Sequence, residues 1–126
     1  MKAKDLRREQ IALLRLEKTL ETEAKNVRAG GAVNRSKIGA AMSVALAGGV
    51  VAAEKLNAPE LLQHVHNVEA QGSKTGVELL TGLAEAVSAG HAAFEAKGNA
   101  LGYLLVNGGR PKIEPAQMVA SILGIG

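Results

Sequence analysis

The stretch Ile38 to Ala53, IGAAMSVALAGGVVAA, runs for 16 residues without a charge between Lys37 and Glu54. A membrane span needs about 20 apolar residues and is usually richer in Leu, Ile and Phe, so the stretch is short for that role. Its most specific feature is a small residue at every fourth position: Ala41, Ala45, Gly49 and Ala53 line one edge of a helix. Such an edge lets a second helix approach closely, as small-xxx-small interfaces do in membranes and in tightly packed oligomers. A buried helix of a small soluble bundle is the plainer reading. Both readings make the segment helical.

The same spacing returns further on. Thr75-Gly76-Val77-Glu78 carries capping-box residues and opens a long helix whose apolar face holds Leu80, Leu83, Val87 and Phe94. Gly82, Ala86 and Gly90 recur at intervals of four on it, followed by Gly98 and Gly102. Each glycine weakens an isolated helix by about 1 kcal/mol relative to Ala, so packing must hold this one. Between the two segments, Asn57-Ala58-Pro59-Glu60 reads as a helix start with Asn57 as the cap and Pro59 in the first turn. That helix is expected to run to Ala70 and stop at Gly72, with Leu61, Val65 and Val68 on one side. The uncharged stretch Gly98 to Gly109 extends the long helix and ends it at Asn107-Gly108. A hairpin arm paired with Arg110 to Ile113 is the alternative, which Pro111 disfavours. Pro115 begins a short final helix with Met118, Val119, Ile122 and Leu123 on one face.

N-terminal to all of this, Asp5 to Arg28 is an amphipathic helix in which Leu6, Leu13, Leu20 and Val27 recur every seven residues. The companion positions Gln10, Glu17 and Ala24 do not form a second apolar seam, so this is no simple coiled coil. The stripe, together with Ile122 and Leu123, is expected to dock on a partner surface in its own chain or in a neighbour. Gly30-Gly31 interrupts the pattern. The expected organisation is a basic amphipathic helix over 1–29, a hinge over 30–37 and an Ala/Gly-rich helical assembly domain over 38–126. The fold class is all-α: a small bundle or set of helical hairpins with close helix packing and a protruding N-terminal helix.

Composition narrows the function. Of 126 residues, 47% are hydrophobic, yet only Phe94 and Tyr103 are aromatic, and 22 are Ala. A buried Ala contributes only about one methyl group, so the core must be thin. The shortage of aromatics argues against base-stacking platforms, cation–π cages and deep aromatic pockets. With no Cys, disulfides, thiolate catalysis and cysteine-ligated metals are excluded. No secretory signal is expected, because Arg15 breaks the first apolar cluster and no small-residue cleavage site follows.

The net charge of +3 is uneven: residues 1–37 carry +5 and residues 38–126 carry −2. Arg7, Arg8, Arg15, Lys18, Arg35 and Lys37 are the candidate contacts for a polyanion, although interspersed acids make this a mixed surface rather than a nucleic-acid arm. Catalytic motifs are lacking. Gly72-Ser73-Lys74-Thr75-Gly76 is no phosphate loop, since Ser73 separates Gly72 from Lys74 and Asn67 stands five residues before Gly72. His64 and His66 point to nearly opposite sides of a helix and cannot share a metal there. Asp5 is the sole Asp, which leaves no Ser–His–Asp arrangement. No enzyme activity, cofactor or metal is expected.

The leading expectation is a structural or assembly protein that forms a homo-oligomer, or joins other structural proteins, through Ala41, Ala45, Gly49, Ala53, Gly82, Ala86, Gly90, Gly98 and Gly102. The composition suits a small virion, tail-associated or secretion-apparatus component. A membrane-associating or pore-forming protein is the alternative, and a nucleic-acid-binding accessory protein a further one.

Overall fold

The computed structural model describes residues 3–101 and 113–125, with side chains over 8–100 and 113–125. It is all-α. In order come α1 (Ala3–Arg28), α2 (Arg35–Leu56), α3 (Pro59–Ala70), a single 3-10 turn (Gln71–Ser73), α4 (Gly76–Leu101) and α5 (Pro115–Leu123). The described residues contain no strand. The alternative hairpin of 98–113, the expected helix end at Asn107-Gly108 and the small-residue position Gly102 fall mainly or wholly outside the described residues.

Local chemistry accounts for most of the boundaries. The Asn34 side chain accepts a hydrogen bond from the Lys37 amide at 3.1 Å and opens α2, satisfying one of the amides that a helix start leaves without an intrahelical partner. Pro59 and Pro115 stand at the first positions of α3 and α5, where a missing N–H costs nothing. Asn57 does not start α3 but closes α2, in the left-handed region at φ 50° and ψ 54°, with its N–H turned to the Ala53 and Glu54 carbonyls. Asn tolerates that conformation better than most residues with a Cβ. The tight junction therefore leaves Ala58 as the N-cap of α3, with no side-chain cap.

The largest difference from expectation concerns α1. It does not protrude: it packs against α2, α4 and α5. Leu13, Leu16 and Leu20 are essentially inaccessible, and they share a single core with Ile38, Leu61, Leu80, Leu83, Phe94 and Val119. The cause is the thin core. Helices built of Ala and Gly supply little side-chain volume, and each buried Leu of α1 stabilises by about 1.5–3 kcal/mol. The docking stripe thus meets its own chain: Val27, Ile122 and Leu123 are partly buried against the same cluster. Leu6 lies outside the described side chains. The segment expected as a hinge is also fastened. The Asn26 amide donates to the Ala32 carbonyl at 2.7 Å, the Asn34 N–H donates to Glu23 Oε1 at 2.6 Å, and Gly30 makes the reversal at φ 96°, a value strained for residues with a Cβ. Arg28 then ties the end of α1 to α5 through the Ile122 carbonyl at 3.0 Å.

Candidate functional site

The four-residue edges are real, and the bundle's own helices lie on them. Ala45, Gly49 and Ala53 are buried and Ala41 is half-buried. A Cβ added to Gly49 would lie 2.7 Å from Val65 Cγ2 of α3, closer than such atoms pack. On α4, a Cβ on Gly90 would strike the His64 ring and one on Gly82 would meet the Gln71 side chain. Ala86 and Gly98 are buried on the same helix. The residues expected to meet other chains therefore bring α2, α3 and α4 together. Side chains seated against bare glycines take up the volume that a side chain would otherwise fill.

Inside this packing sits a polar cluster that sequence spacing does not reveal. His91 Nε2 and Glu17 Oε1 are 2.8 Å apart across 74 residues of chain, with His91 buried. His64, also buried, lies edge-on to Phe94, with ring centroids 6.2 Å apart and planes at 77°. Burial, reinforced by the nearby His91 and opposed by the Ala86 carbonyl, holds the His64 imidazole down at about 4, because charging a ring out of contact with water is unfavourable. The Nδ1 atoms of both histidines have no hydrogen-bond partner. His66, two residues from His64, is exposed, as helical geometry requires. Among the described residues no group of three His, Cys, Asp or Glu side chains could hold a metal ion. The buried, neutral His64 ring lies directly against Gly90, within the packing between α3 and α4.

The candidate polyanion contacts are partly brought together. Arg15, Lys18 and Lys37 line a shallow groove of about 470 Å³ between α1 and α2, with Thr19, Thr22, Glu23 and Ala40. Glu21 moderates it: its carboxylate takes Lys25 at 3.0 Å and Lys18 at 3.1 Å. The hydrogen bond from Lys25, then that from Lys18, holds the Glu21 carboxyl below its ordinary value. Arg35 reaches away toward the Gly72 carbonyl at 3.5 Å. Arg8 is exposed, and the Arg7 side chain is outside the described set. These residues make a mildly basic rim rather than a continuous phosphate track.

The unclaimed surface is the opposite side of α2. Ala40, Val44, Ala47 and Val51 are all exposed, Val44 at 55% and Val51 at 38%. Their intervals of four, three and four place them in one stripe about half a turn from the buried residues Ile38, Met42, Ala45 and Ala52. Among the described residues, α2 is the one helix long and apolar enough to cross a membrane, and only 33% of its apolar window is buried. Beside its C-terminal end Leu62 is 43% exposed. No family model, curated protein or solved structure matches this chain.

Proposed function

We propose that this chain is a non-enzymatic assembly subunit that self-associates, and that the outer face of α2 is the surface it uses. The observation that carries the reading is the exposed stripe Ala40, Val44, Ala47 and Val51. It lies on a helix whose 16 central residues carry no charge, in a chain whose other small-residue edges are filled from within. Isolated exposed aliphatics are ordinary on a soluble protein, but an aligned stripe of them on an apolar helix suits a partner surface. A component of a larger particle, such as a virion, a tail or a secretion apparatus, would be built in this way.

A second reading has its own observation: α2 meets the length and composition of a membrane-crossing helix, and the outer face could lie against lipid. Against it, α2 is bound on its other side to α1 and α3, and α1 carries many charges. Sedimentation equilibrium of the chain, with flotation on vesicles half of anionic lipid, separates the two. Self-association predicts a concentration-dependent mass and no flotation. A monomer that floats would replace the first reading with the second.

A further inference from the structure

We propose that two copies of the chain pair through their α2 helices in antiparallel orientation, about a twofold axis that passes between Ala45 and Leu46. The inference rests on the reading of α2 as the assembly surface and adds its orientation, register and specificity.

The exposed stripe is symmetric about its own midpoint. Extended by one position at each end, it reads Lys37, Ala40, Val44, Ala47, Val51, Glu54, and all six are exposed. The alternating spacing of three and four is that of a coiled-coil seam, in which antiparallel helices place each first-type position against a second-type position of the neighbour. A twofold axis requires that if one residue meets another across it, the reverse contact is also made. The stripe satisfies this without adjustment. When the helices cross midway between Ala45 and Leu46, Val44 meets Ala47 of the second copy, Ala40 meets Val51, and Lys37 meets Glu54. Every layer then pairs a small residue with a β-branched one, or a cation with an anion. A parallel pairing would instead set Val44 on Val44, Ala47 on Ala47, Lys37 on Lys37 and Glu54 on Glu54. It would leave gaps at the alanines and repulsion at both ends.

The helix dipole favours the same orientation at the same two charges. Lys37 stands in the first turn of α2 and Glu54 in its last, beside Lys55; Lys37 and Glu54 are each the unfavoured sign for their own helix end. An antiparallel second copy corrects both, bringing Lys37 to the neighbour's C-terminal end and Glu54 to its N-terminal end. The Glu54 of that copy also enters the basic rim formed by Arg15, Lys18 and Lys37. From Lys37 to Glu54 the seam spans only about 26 Å at 1.5 Å per residue. It is therefore a modest interface of the kind that makes weak, reversible contacts, suited to assembly from a soluble pool.

The chain's lack of cysteine makes the orientation directly readable. Ala40→Cys and Val51→Cys proteins are prepared separately, then oxidised alone and as an equimolar mixture; about the proposed axis each of these positions lies about 16 Å along the seam from its own copy, beyond disulfide reach. The expected result is a disulfide-linked dimer in the mixture, made of one chain of each kind, with little from either protein alone. Alongside, Lys37→Glu and Glu54→Lys should each raise the dissociation constant about tenfold, since two contacts per dimer turn repulsive. The double exchange should restore the original value. Homodimeric cross-links that dominate in the single-variant samples would overturn the antiparallel register and leave self-association through α2 standing. Wild-type protein that stays monomeric by light scattering up to about 1 mM would remove both, as would flotation on anionic vesicles by such a monomer.

Discussion

The inner and outer faces of α2 are built from nearly the same residues and have opposite fates. Inward, Ala45, Gly49, Ala52 and Ala53 are buried against the rest of the bundle, and Gly49 is so near Val65 that no Cβ fits without movement. Outward, Ala40, Val44, Ala47 and Val51 have the same small, apolar character and are exposed, with Ala40 at the edge of the groove between α1 and α2. Small residues permit close approach, but they do not choose the partner. Inward, Val65 of α3 lies on Gly49 and the Leu residues of α1 share the core with Ile38, Met42 and Ala45.

Several changes would break or sharpen this contrast. The largest effect belongs to the inside. His64 is held neutral by burial, with its imidazole at about 4 against an ordinary 6.5. The folded state therefore disfavours the proton that the unfolded chain accepts. The stability this represents is complete above pH 6.5 and declines as the pH falls toward 4. Its full size is about 3 kcal/mol. Urea midpoints between pH 7 and pH 4 should show the loss; His64→Gln should flatten it, whereas His66→Gln, at an exposed position, should leave it in place.

Gly90→Ala comes next, because its methyl would strike the enclosed His64 ring. Overpacking should outweigh the helix-propensity gain and cost about 2 kcal/mol, seen as a melting temperature about 5 to 10 °C lower. A variant that melts at or above the wild-type temperature would show that α3 and α4 are not in close approach there. On the outside, Val44→Glu should change the monomer's stability by less than about 0.5 kcal/mol, while the apparent mass at high concentration falls to that of one chain. Gly39→Ala should touch neither set of contacts. This residue sits in α2 with open space where a Cβ would go, so the exchange should stabilise by about 0.5–1 kcal/mol, read as a small rise in melting temperature.

Much of the architecture was legible in the sequence because helix starts and stops are local chemistry. Pro59 and Pro115 sit where their missing amides cost nothing, and Leu61, Val65 and Val68 face inward as their spacing requires. Asn57 misled because a single Asn between two helices can serve either end, and the choice depended on a left-handed backbone angle. The stripe on α1 was readable as a stripe, but periodicity gives a direction relative to the helix axis and no neighbour. Its destination followed only from the whole bundle's shortage of volume. The Glu17 and His91 pair, 74 residues apart, leaves no local trace. The outer seam of α2 was hidden for another reason. Almost every residue from 38 to 53 is apolar, so the four-residue edge on one side masked the three-and-four stripe on the other until burial told them apart.

The most direct test of the account is sedimentation equilibrium on the wild-type chain and on Val44→Glu at matched concentrations, with the melting temperature of each measured in parallel. The account predicts a wild-type mass that rises toward two chains with concentration, and a variant that remains at one chain while melting at the same temperature. A variant that still associates as the wild type does, or a wild type that never associates, would contradict it.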